Sequence, residues 1–357
     1  MKTQPKVAFI LMPTVQRLAA HVGGQCCWFE FSDKGLLPRP YVVIGVSAGA
    51  AAGASCLPPT PRNLRKAAEI YANLKPSDIV SLPWPIKIFA GLTVASTLFP
   101  LANLIFKNRM EDLEGGRSIK KIGLTLGETI AAWGSIAGLL WFFWNQEGVF
   151  DNRKLKNLFL TNLDFSKKGV FKSDILFEAT TTDMKTGEEV FFTNYRKEDQ
   201  DPGRLAKALL ASAAIAGNLS PSRIDGRFLS DGGILSRIPL HRALAHDVDA
   251  IVVFRYQSTF KEEDGPFSWP KAIVRSAEIS ETQGIARLVR ENYELRQKLG
   301  EKLPPIFWLN IIRQGVKMPD INLRSFSQDN MVEAMNIGYQ TVEDNLPQLQ
   351  EFFANLK

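Results

Sequence analysis

YVVIGVSAGAAAGAS, residues 41–55, passes from β-branched and aromatic residues straight into glycine, serine and alanine. Tyr41 to Ile44 reads as a short buried strand, and the small residues after Gly49 read as the start of a helix. Ser47 then stands at the reversal between them. In a G-x-S-x-G elbow the strand turns sharply into the helix, and the central serine is carried to the apex with its hydroxyl exposed. Gly45 and Gly49 remove the Cβ atoms that would collide where strand and helix pack closely. The helix N-terminus beneath Ser47 offers free N–H groups, that of Ala48 first, and the positive end of a dipole to an oxyanion forming there. The chemistry that suits this arrangement is acyl transfer. An ordinary Gly/Ser loop carries the same five letters, so the flanking strand and helix patterns are what raise the motif above a turn.

A second stretch, IDGRFLSDGGILSRIPLHRAL from Ile224, sets Asp231-Gly232-Gly233 between two apolar, strand-like runs, where a carboxylate can emerge from a tight turn. Asp225-Gly226 marks another turn and reads as structural. With GVSAG at 45–49, DGG at 231–233, ALLASAAIAG upstream and DVDAIVVF downstream, the chain resembles the patatin-like phospholipase family. ILFEATTTDMKTGEEVFFTN, residues 175–194, is similar to that family's strand, loop and hairpin before the aspartate. The resemblance covers most of residues 1–55 and 148–350. It implies an α/β three-layer sandwich with a central, mostly parallel sheet, and a lipid acyl hydrolase acting through a Ser47–Asp231 dyad. Gly45, Ala48, Gly49, Gly232 and Gly233 would shape the site, no cofactor or metal would be needed, and the partner would be a lipid or phospholipid ester.

A carboxylate of ordinary pKa about 3.9 is a poor base for a hydroxyl, so burial would have to raise its basicity. Only three histidines are present, His21, His241 and His246. Asp231 followed by His241 or His246 also satisfies the chain order of a Ser-Asp-His α/β-hydrolase, the rival reading. Against it, only about 40 residues precede the elbow, and both histidines fall in HRALAHDVDA, which reads as a helix and its exit. Ser212, among small residues, reads as a packing residue.

The N-terminal VAFIL reads as a first parallel strand rather than a signal-peptide core. The resemblance places a glycine-rich oxyanion loop after it, but here the chain reads MPTVQRLAAHVGG. Arg17 aligns to the family pattern, whereas Pro13, Thr14, Val15 and Leu18 stand where glycines are expected, and Pro13 has no N–H. Residues 12–37 also show no clean helical period, although a helix belongs there. A rebuilt oxyanion hole, a catalytically weak or silent lipid-binding relative, and a locally damaged reading frame all fit.

The 357 residues, 45% of them hydrophobic, suit a single α/β domain with a helical insertion at about 58–147. Within it, Ile88–Phe106 is uncharged over 19 residues and Thr129–Trp144 over 16. A buried helical cap, a monotopic insertion with aromatic residues at the headgroup level, and a hairpin through the bilayer are the three readings. Cys26, Cys27 and Cys56 give no even disulfide framework, so a reducing, cytoplasmic setting is expected, with peripheral membrane contact through 88–106 and 129–144. The net charge of +6 is spread out, without the aromatic-basic interleaving of a nucleic-acid platform. Oligomeric state leaves no mark in the sequence.

Overall fold

The computed structural model describes residues 4–13, 18–79, 148–150, 153–166, 169–214, 217–255, 303–311 and 327–356, with 294, 297 and 298 as isolated positions. Residues 80–147 lie outside this set, and with them the two apolar runs at 88–106 and 129–144.

Eight strands form one mixed sheet in the order β10-β9-β1-β2-β4-β8-β7, with β5 pairing onto β4. The parallel part comprises β1 (Val7–Leu11), β2 (Pro40–Val46), β4 (Leu176–Asp183), β9 (Ala250–Arg255) and β10 (Ile306–Asn310). The antiparallel part comprises β5 (Glu189–Thr193), β7 (Ser222–Ile224) and β8 (Arg227–Asp231). Helices cover both faces, which is why β1 is buried at every residue and reads as a continuous apolar run rather than an alternating one. On one face Ala8, Ile10, Val42, Ile44, Ile251 and Val253 meet Leu240 and Ala243 of a short helix at Leu240–Leu244. On the other, Phe9 meets the Trp28 ring edge-on at 4.8 Å. That tryptophan belongs to α1 (Leu18–Asp33). The expected three-layer α/β architecture is what the chain adopts.

α1 explains the missing helical period. Leu18 to Gln25 are all buried, as are Cys27, Trp28, Phe29 and Phe31, because the helix lies between the sheet and a C-terminal helix at Gln328–Asp344. Its first two turns are buried all round and carry no amphipathic signal, and only Glu30 and Asp33 near its end are exposed. Glycines set its spacing from the C-terminal helix. A Cβ on Gly23 would lie 1.9 Å from the Met335 carbonyl oxygen, and one on Gly338 would lie 2.0 Å from that of Ala20.

α2 (Ala48–Ser55) follows β2, and α3 (Pro61–Ala72) packs on α1 and on the C-terminal helix. Thr60 caps α3 by accepting from the Asn63 N–H, with Pro61 at the first helical position. Residues 58–79, expected to open the insertion, fall in the same compact unit as the sheet, whose first segment ends at Ile79. α4 (Arg153–Asn162) and α5 (Pro202–Ser212) come next, α5 lying on β4 and β7. A separate pair of short strands, β3 (Gly148–Phe150) and β6 (Gly217–Leu219), runs parallel.

The run after Asp231 departs from expectation. ILSRIPL forms no strand: Gly232–Ile234 is a 3₁₀ turn leading toward α6 (Leu240–Leu244). The Asp231 carboxylate accepts from the Gly233 N–H and so caps the turn, while Pro239 has no N–H for a ladder.

Replacing Gly23 or Gly338 by alanine tests this packing. The gain in helix propensity is about 1 kcal/mol, but the contact is with backbone that cannot move aside, and overpacking costs about 1–3 kcal/mol or more. A net loss of stability in chemical denaturation is expected for each variant.

Candidate active site

β4 brings the two motifs together. Val46, the last residue of β2, pairs with Thr180. Asp231, the last residue of β8, pairs with Thr181. β2 therefore leaves the sheet at Ser47, and the end of β8 arrives beside the same strand one residue further on. The Ser47 Oγ–H donates to Asp231 Oδ2 at 2.6 Å, across 184 residues of sequence.

Ser47 sits in the left-handed half of backbone space, with φ 57° and ψ −128°. Such a conformation in a non-glycine residue costs on the order of 1–3 kcal/mol and persists only where the surroundings impose it. They do so here through glycine. A Cβ on Gly45 would lie 2.3 Å from Ala50 Cα, and one on Gly49 would lie 2.3 Å from the Leu11 carbonyl oxygen. Both elbow glycines are therefore required for close approach. Ala48 opens α2, so its N–H has no intrahelical acceptor.

Asp231 is buried, and burial raises its pKa above the ordinary 3.8, opposed by the hydrogen bonds from Ser47 and Gly233 and the charge of Arg237. The direction is the one a base for a hydroxyl needs. Oδ1 accepts from the Gly233 N–H at 2.7 Å, leaving Oδ2 to Ser47. Thr182 Oγ1–H donates to the Asp231 carbonyl oxygen at 2.9 Å. Gly232 has its own reason to be glycine: a Cβ there would fall 2.5 Å from the Thr180 carbonyl oxygen.

Ser212 is a site residue that the sequence reading assigned to packing. Fully buried at the end of α5, its Oγ accepts the Ser47 N–H at 2.9 Å. No spacing rule links position 212 to 47. The histidines of the rival triad are engaged elsewhere, and neither Ser47 nor Asp231 bonds one. His246 Nε2 lies 2.9 Å from Glu178 Oε1 and His241 Nε2 lies 2.6 Å from Glu189 Oε2, while His21 Nε2 meets the Met12 carbonyl oxygen. Asp225 is a turn residue, with φ 49° and a two-pronged pairing to Arg204.

A family model described as patatin-like phospholipase matches residues 15–244, more than half of the chain. The chain belongs to the patatin-like phospholipase family. Within this patatin-like chain, 66 residues are 39% identical to uncharacterized NTE family proteins of Mycobacterium bovis and Mycobacterium tuberculosis. That alignment covers 18% of the chain and 16% of each relative, about a sixth of their length. Among solved structures the chain is similar to VipD from Legionella pneumophila, at 13% identity and TM-score 0.44 over 97% of this chain and 67% of that one. It is also similar to the type III effector protein ExoU, at 14% identity and TM-score 0.38 over 98% and 54%.

The loop where this patatin-like chain departs from its family is described only at its start. Arg17 lies outside the described residues, with Thr14 and Val15. The Met12 N–H is committed to the Phe254 carbonyl at 3.3 Å, and Pro13 has none. Among the described residues of the loop, then, no N–H is left for an oxyanion. Pro13 instead packs at the site, its Cγ 3.5 Å from the Cβ position of Gly233. Two large apolar side chains, Ile234 and Leu235, follow the aspartate turn, each 48% exposed. Among the described residues no cluster of three or more His, Cys, Asp or Glu could hold a metal, and no helix is long and apolar enough to cross a membrane. Cys26, Cys27 and Cys56 are free thiols.

Ser212→Ala should lower stability by about 1–3 kcal/mol, the cost of a buried N–H left without its acceptor, and should slow any reaction at Ser47. Denaturation and labelling rates measured on the same preparation check both effects.

Proposed function

We propose that this protein is a lipid acyl hydrolase in which Ser47 is the nucleophile and Asp231 the base. The observation that carries the reading is the 2.6 Å hydrogen bond from a strained, elbow-held serine to a buried carboxylate.

In the first half-reaction the Ser47 proton passes to Asp231 Oδ2 while Oγ bonds to the ester carbonyl carbon. The carbonyl π electrons move onto oxygen, and the Ala48 N–H at the N-terminus of α2 stabilises that charge. As the carbonyl re-forms, the C–O bond to the alcohol breaks and the leaving oxygen takes the proton from Asp231. In the second half-reaction water gives its proton to Asp231 and attacks the acyl-Ser47 ester, releasing the acid and returning the proton to Ser47. No step calls on a histidine, a metal or a cofactor.

A lipid substrate is favoured by the family and by the exposed Ile234 and Leu235 one turn beyond the base, where an acyl chain would find apolar contact. Peripheral contact with a membrane through 88–106 and 129–144 belongs to the same proposal, as does a cytoplasmic setting. A weaker catalyst, or a silent lipid-binding relative, is the second reading. It is supported by Met12 and Pro13, which supply no oxyanion donor where the family expects glycine N–H groups, and one lost donor costs about a hundredfold or more in turnover.

The test is labelling by a fluorophosphonate probe together with turnover of a p-nitrophenyl ester. The parent should label at one serine, Ser47→Ala should not label, and Asp231→Asn should react about 10²–10⁴-fold more slowly while remaining folded. A folded parent that neither labels nor hydrolyses would leave the lipid-binding reading standing and remove the enzyme.

A further inference from the structure

His21 is a buried imidazole that the steps above do not use. It lies in the first turn of α1, fully buried on a helix where packing alone would be served by an aliphatic side chain. Its Nε2 is 3.0 Å from the Met12 carbonyl oxygen. A carbonyl oxygen only accepts, so Nε2 carries the proton and donates. Burial lowers the His21 pKa to about 4, against the opposing effect of the Met12 hydrogen bond, so the ring is neutral near pH 7.

The Met12 carbonyl has a second neighbour. Its oxygen lies 2.8 Å from where a Cβ on Gly49 would stand, and so borders the first turn of α2. The leading N–H groups of that helix have no intrahelical acceptor and attract any oxygen within reach. A carbonyl at this spot would cap the helix and occupy the donor that an oxyanion needs, unless something else held it.

We propose that His21 is a positioning residue for acyl transfer: its Nε2–H holds the Met12 carbonyl toward α1 and keeps the Ala48 N–H open for the substrate oxygen. The inference rests on Ser47 as nucleophile. It also gives the glycine-poor start of the loop a function, because the peptide before Pro13 has no N–H to contribute and its carbonyl must be turned away.

The experiment compares His21→Leu, which fills the space without a donor, with His21→Gln, whose amide nitrogen can reach the position of Nε2. Each is measured for its labelling rate by a fluorophosphonate, for kcat per titrated serine, for KM and for thermal stability. The expected result is a folded His21→Leu whose labelling rate and kcat per titrated serine fall about tenfold or more with KM little changed, and recovery of most of that loss in His21→Gln. Where the Leu variant fails to fold, His21→Asn replaces it, since its amide stops at the position of Nδ1 and should behave as the donor-free case. Variants that react at the parent's rate per titrated serine, whatever their melting temperature, overturn the inference, as does an equal loss in Gln and Leu. A parent that does not label removes the Ser47 reading itself, a result distinct from both.

Discussion

Thr180 and Thr181 are neighbours on β4, yet they pair with the ends of different strands, β2 in one case and β8 in the other. This exchange of partners on one strand is the constraint on which the site depends. It fixes the end of β2 and the end of β8 against a common edge, so that Ser47 and Asp231 meet without either loop having to find the other. Thr180 Oγ1–H reaches the Gly45 carbonyl at 3.4 Å and Thr182 Oγ1–H reaches the Asp231 carbonyl at 2.9 Å. Residues two apart on a strand share a face, so one face of β4 holds both motifs.

Two buried carboxylates at this sheet show how environment sets the direction of a pKa shift. Burial alone would raise the pKa of Glu178 on β4, but hydrogen bonds from His246, Arg242 and Tyr195 overcome it and hold the group down to about 2. Its folded value lies below the ordinary 4.5, so it contributes stability that is present above pH 4.5 and lost as pH falls toward 2. Asp231 has fewer donors, and burial prevails. Its raised value has the opposite sign: the contribution is complete below 3.8 and is lost as pH rises through the folded value. Above pH 3.8 the raised pKa of Asp231 therefore works against folding, as the backbone strain at Ser47 does. Glu178 clamps α6 to the sheet, whereas Asp231 carries an electrostatic cost that the proposed role as base would explain.

The elbow and the aspartate turn were legible because their chemistry requires glycine at fixed offsets, and the clashes at Gly45, Gly49 and Gly232 give the physical reason. β1 and β2 were legible as apolar runs, since parallel strands covered on both faces keep no alternation. α1 was not, because burial on every side of its first two turns erases the helical period there. The strand expected after Asp231 was an apolar run misread, ended by a side-chain cap and Pro239. Ser212 escaped for a different reason: a hydroxyl that accepts a backbone N–H 165 residues away leaves no local pattern.

The pH dependence of Ser47 phosphonylation tests the dyad most directly. The account predicts a second-order rate constant that rises with pH through a single ionisation whose midpoint lies above 3.8, the ordinary aspartate value, and a limb that disappears in Asp231→Asn. A midpoint at or below that value, or an Asp231→Asn variant that keeps both the parent's rate and its limb, would contradict it.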